Sequence, residues 1–164
     1  MVVHGTQRFR DRLFDGASSL DDGSSTLLGP WYATLLRWRP AVALFVNQST
    51  LLPVFVPTAP ARTLLRRLPT AVAEVLAAHH VPDELIAAEI TEMADVRVEP
   101  TANRSVVGVM NEFGYLAEAS RRHYVDDLLG LSVHLAATPC SPLYKRRVSP
   151  DRELAALVAE HAAR

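Results

Sequence analysis

The chain opens on a short apolar run, Val2-Val3-His4, which predicts a strand. Residues 6–14 follow with Phe9, Leu13 and Phe14 on one side of a helix and Arg8, Arg10 and Arg12 on the others. Between 31 and 57 come three apolar runs, WYATLLRWR, AVALFVN and LLPVFVP. Arg39-Pro40 and Asn47-Gln48-Ser49-Thr50 separate them with turn chemistry, so the spacing predicts a three-stranded antiparallel meander. Pro53 lacks a ladder donor, which places the third strand at a sheet edge or gives it a bulge.

Helical periodicity dominates the rest. Leu64, Leu65, Leu68, Val72, Val75, Leu76 and His79 recur at helical spacing, with Pro69 expected to divide a short helix from a longer one. Pro82 suits the first position of the next helix, whose inward residues are Leu85, Ile86, Ile90 and Met93. Residues 95–99 alternate strictly and predict a half-buried strand that Pro100 ends. Val106, Val109, Met110, Phe113, Leu116 and Ala117 form one stripe of a helix that Thr101 or Asn103 can cap. A helix apolar on most sides covers about 124–137. Ser149 and Pro150 start the last one.

Runs of strands and runs of helices, rather than strict alternation, predict an α+β fold. The expected sheet is small and antiparallel, the meander plus one or two strands, with helices packed on one face. No repeat or boundary divides residues 1–164, so one globular domain is expected. Residues 15–30, rich in Gly, Ser and Asp, read as a flexible loop within it.

Composition narrows the function classes. A formal net charge of −1 creates no general field for nucleic acid or acidic lipid. Sixteen of the seventeen basic residues are Arg, a side chain whose planar fork suits phosphate, although base composition of a genome produces the same bias. The single cysteine, Cys140, forbids an internal disulfide and a cysteine-based zinc site. No signal-peptide pattern or spanning apolar run is present, so a cytoplasmic protein without membrane contact is expected.

The most suggestive stretch is Thr101-Ala102-Asn103-Arg104-Ser105, where a predicted strand gives way to a predicted helix. Helix starts offer unpaired amides and a positive dipole end, and Arg104 could add a bidentate grip on phosphate or carboxylate. Thr101, Asn103, Arg104 and Ser105 are therefore the candidate ligand-binding residues. A plain cap beside a solvated arginine is the bland alternative. His79-His80 sit at a helix end but diverge on it, which makes a poor chelate, and no metal site or cofactor is expected. Asp126-Asp127 at a helix start complement the dipole. Trp31, Tyr32 and Trp38 could stack bases, yet parity puts Trp31 on one strand face and Tyr32 with Trp38 on the other. There is no glycine-rich phosphate loop and no nucleophile elbow. The reading is a non-enzymatic binding or regulatory module for an anionic small molecule or nucleic acid. Two alternatives stay open: an enzyme on a nucleotide or nucleic-acid substrate, using one of His4, His79, His80, His123 or His134, and a homodimer paired through the meander edge.

V-H-G-T-Q-R-F-R-D-R-L, W-Y-A-T-L-L-R-W-R-P-A-V-A-L-F-V-N-Q-S-T-L-L-P-V and T-A-N-R-S-V-V-G-V-M-N-E-F, in that order, resemble a family of uncharacterised bacterial domains of unknown function. Some members are similar to the N-terminal part of passenger proteins carried by plasmids and insertion elements. The resemblance covers roughly 1–137 and implies a bacterial, cytoplasmic setting. It assigns no activity to any position. Gly5 stands where the resemblance implies a cysteine.

Overall fold

The computed structural model describes residues 1–13, 26–124, 126–140 and 148–163. It has the expected α+β fold. The strands are β1 (Val2–Gly5), β2 (Trp31–Leu36), β3 (Val42–Asn47), β4 (Pro53–Pro57) and β5 (Arg97–Pro100). The helices are α1 (Gln7–Leu13), α2 (Leu64–Ala78), α3 (Asp83–Glu92), α4 (Arg104–Ser120), α5 (Leu128–Ala136) and α6 (Pro150–Ala162).

The meander forms as expected: β2, β3 and β4 pair antiparallel, with Ala33 opposite Phe45 and Leu44 opposite Phe55. The sheet as a whole is mixed, not antiparallel. In the order β4-β3-β2-β1-β5, β1 lies parallel to both β2 and β5. Nor do the helices keep to one face. Trp31, Ala33, Phe45, Val54 and Val56 join Phe9 of α1 and the apolar stripes of α2 and α3 on one side, with Leu154 of α6. Tyr32, Val42, Leu44, Val46 and Phe55 meet Val106, Met110 and Phe113 of α4 on the other. Side chains alternate across a strand, so a strand apolar at both parities has to be covered twice. Every residue of β3 is buried.

The β4 edge is short of free donors. The amides of Asn47 and Thr58 donate across the β3–β4 pair to Leu52 and Ala41. By parity Pro53, Phe55 and Pro57 then turn their nitrogens outward. Two of these are prolines without a donor, and the Phe55 N–H donates to Ser132 Oγ of α5 at 3.1 Å. Along Pro53–Pro57 the edge therefore offers no free amide to a second strand, which disfavours pairing there. Ser132→Ala would strip the partner from a buried amide and should cost about 1–3 kcal/mol in urea unfolding. An unchanged midpoint would contradict this account of the edge.

Pro69 does not divide its helix. α2 runs through it, led in by a 3₁₀ turn at Ala61–Thr63. Proline removes the one hydrogen bond it would have made to Leu65, while burial of Leu64, Leu68, Val72, Val75 and Leu76 holds the helix together. Pro82 caps α3 from just outside it, and a 3₁₀ turn at Arg121–His123 precedes a shorter α5. Ser149 occupies the cap position of α6 with Pro150 inside, but its hydroxyl bonds the Asp151 carboxylate rather than a helix amide.

The expected loop at 15–30 falls on residues that lie outside the described ones as far as 25. Its tail, 26–30, is packed, with Leu28 in the core. Glu89 of α3 helps hold it there: Oε2 accepts from the amides of Leu27 at 2.7 Å and Leu28 at 3.4 Å. Burial pushes the Glu89 carboxyl above the usual glutamate range. The two amides oppose that push, Glu92 adds to it, and the Met1 ammonium opposes it from a distance. A protonated Glu89 is thus favoured by folding. Its contribution to stability is complete below the ordinary glutamate range and is lost as pH rises from there to the raised native value. Urea unfolding at stepped pH should show that decline, and Glu89→Gln should remove it. A variant with the wild-type pH slope would contradict the assignment.

Candidate functional site

β1 and β5 end side by side, Gly5 opposite Pro100. From there the chain departs to opposite faces, β1 into α1 on the Phe9 side and β5 into α4 on the Phe113 side. In sheets with parallel strands, such a reversal leaves a crevice outside the carboxyl ends of the strands.

Residues 101–105 carry the chain from the end of β5 into α4 at this place. Asn103 is the cap of α4, and its side-chain oxygen accepts from the amides of Ser105 at 3.0 Å and Val106 at 3.4 Å. These two amides are therefore occupied by the chain itself. The Asn103 amide donates to the Tyr32 hydroxyl at 3.0 Å, which ties the segment to β2. Thr101 is half-buried, whereas Ala102, Asn103, Arg104 and Ser105 are exposed. The Arg104 guanidinium makes no hydrogen bond or ion pair among the described residues and stands in solvent.

His4 completes the arrangement. It lies in one row across the sheet with Glu99 and Tyr32, on the α4 side. Its Nδ1 is 3.0 Å from the Pro100 carbonyl and 3.8 Å from the Glu99 carboxylate. The Arg97 guanidinium approaches the other oxygen of Glu99 at 2.8 Å. The His4 ring rests against Tyr32 with centroids 4.8 Å apart, and its side chain is 15% exposed. When Nδ1 carries the proton and donates to Pro100, Nε2 remains the acceptor nitrogen. Gly5, next to it, admits no side chain without movement, because an added Cβ would lie 2.7 Å from Phe9 Cδ1.

The other histidines keep other surroundings. His79 closes α2; burial lowers its pKa, Asp151 opposes this, and His80 adds to it. His80 is in the left-handed region, with φ 58°. His134 stacks on Tyr124 at 5.3 Å. Among the described residues, no group of three or more His, Cys, Asp or Glu is placed to hold a metal ion, and no helix is long and apolar enough to cross a membrane.

Trp31 and Tyr32 are buried on opposite faces, in agreement with the parity argument, and neither presents a stacking surface. Trp38 instead floors part of a hollow of about 250 Å³ with Arg39, Arg121, Asp126 and Pro57. The Arg121 guanidinium lies 4.9 Å over the indole and donates to the Arg39 carbonyl at 3.1 Å. Sequence reasoning had no signal for Arg121, which is 82 residues from Arg39.

A family model for a domain of unknown function, DUF6933, matches residues 2–153. The chain belongs to this family. No curated protein and no solved structure matches it. The DUF6933 match spans all five strands and α1 to α5, so both His4 and residues 101–105 lie within the family's own domain. Most of α6 extends past it.

Proposed function

We propose that this DUF6933 domain is a binding or regulatory module for an anionic, phosphate-bearing ligand seated at the carboxyl ends of β1 and β5. Arg104 would supply the charge, with hydrogen bonds from Thr101, Ser105 and the Asn103 carboxamide nitrogen. The observation that carries the reading is His4, braced by Pro100, Glu99 and Tyr32 beside the segment that begins α4. An imidazole braced at Nδ1 offers an Nε2–H donor to an oxyanion when the ring carries both protons, and bracing lowers the cost of binding. The positive end of the α4 dipole adds to the attraction even with two amides capped. A bacterial cytoplasm, implied by the sequence resemblance, is the setting that goes with this reading.

The same observation favours a second reading, an enzyme acting on a nucleotide or nucleic-acid substrate. In that reading His4 would be the proton carrier, with Glu99 behind it to orient the ring. Calorimetric titration with inorganic phosphate and adenosine monophosphate tests the first reading directly. Absence of saturable heat at moderate ionic strength would remove it. Turnover of a phosphoester that His4→Gln abolishes while binding persists would replace it with the second.

A further inference from the structure

Glu89 also marks a place on the opposite side of the sheet from α4, where α3 meets the segment entering β2. The residue is 2% exposed. Its Oε2 is occupied by the Leu27 and Leu28 amides, but Oε1 is buried with no hydrogen-bond partner among the described residues. A buried polar atom left unpaired is costly, and carboxylate oxygen is among the costliest. Beside it is a hollow of about 160 Å³ lined by Leu27, Leu85, Ala88, Glu89, Glu92 and His161.

The lining has two carboxyl groups, the His161 imidazole and a wall of carbon. The Met1 ammonium is directed elsewhere, donating to the Asp95 carbonyl at 2.7 Å. Among the described residues no group of three or more His, Cys, Asp or Glu is placed to hold a metal ion, and this hollow is no exception. A primary ammonium differs: it needs about three acceptors and brings its own alkyl chain for the apolar side.

We propose that this hollow is a binding site for a short primary alkylammonium, with Glu89 Oε1 accepting from the ammonium and Leu27, Leu85 and Ala88 packing on the chain. The cation pairs the orphaned oxygen and relieves the repulsion between Glu89 and Glu92. It also favours the ionised carboxylate that holds Leu27 and Leu28, so occupancy tightens the segment leading into β2.

Thermal melting with n-butylammonium chloride tests this, with 1-butanol and matched sodium chloride as controls. The melting temperature should rise saturably with the ammonium alone, and the rise should shrink as pH falls through the titration of Glu89. Glu89→Gln keeps an acceptor for the two amides but removes the charge, and should weaken binding roughly tenfold or more. Ala88→Phe leaves Glu89 in place and fills the hollow, so it should abolish the rise even if the first variant folds poorly. Nα-acetyl-lysine amide separates the two sources of the group. An equal rise with it points to a lysine of a partner, and a rise confined to butylammonium points to a free amine. No rise, a rise shared by butanol, or a rise that survives Ala88→Phe would overturn the proposal.

Discussion

Replacing Asn47 with alanine is expected to cost on the order of 3–5 kcal/mol, one of the largest single losses available in this fold. Asn47 is 0% exposed at the end of β3, and its carboxamide joins three segments. Nδ2 donates to the carbonyls of Leu28 at 2.9 Å and Pro30 at 3.3 Å. Oδ1 accepts from the Ser49 and Thr50 amides at 3.0 and 2.9 Å, and from the Thr50 hydroxyl at 3.0 Å. Truncation leaves several of these groups buried without partners, and water cannot reach the deepest of them. It also loosens the turn in which Leu51 sits in the left-handed region at φ 61°. Thr50→Val removes only the hydroxyl bonds and should cost about 1 kcal/mol. Urea unfolding distinguishes the two. A loss below about 1 kcal/mol for Asn47→Ala would show that the network is not what holds the turn to the β2 entrance.

The second large effect concerns ligand affinity. Arg104→Ala should weaken binding of adenosine monophosphate roughly 10- to 100-fold, the range for a lost charged hydrogen bond. It should leave stability nearly unchanged, because the guanidinium is exposed and the cap belongs to Asn103. His4→Gln should weaken binding less, by a few-fold, since glutamine can still donate and accept but loses the stacked ring. The affinity should fall with added salt, as it does for any contact between exposed charges. Calorimetry of the three proteins at two salt concentrations reads all of this. Equal affinity for wild type and Arg104→Ala would remove residues 101–105 from the contact.

Much of the architecture was legible because it is written locally. Pro53 announced an edge strand, and Pro53 and Pro57 turn out to face that edge. Asn47 to Thr50 announced a turn, and Val106 to Ala117 a helix whose stripe is buried. The second helical layer is also written locally, in contrast to the one-faced sheet that the element order predicts. AVALFVN is apolar at both parities, which only a sheet covered on both sides requires. The direction of β1 and β5 was not legible, because no turn joins them and their partners are set by distant packing. The same holds for the groups that define the sites. His4 is paired with Pro100 across 96 residues, Ser132 with Phe55 across 77, and Glu89 with Leu27 across 62. No local spacing encodes such meetings. Residues 101–105 were found because a helix start is a local signal, and that signal could not say that Asn103 would occupy two of the amides itself.

The central claim is that an oxyanion sits between the first turn of α4 and His4. Amide-resolved NMR during titration with inorganic phosphate tests it most directly. Saturable shifts concentrated at residues 4–6 and 101–106, absent from Arg104→Ala, are the predicted result. Shifts that instead gather around Trp38 and Arg121, or a spectrum that phosphate leaves unmoved, would contradict it.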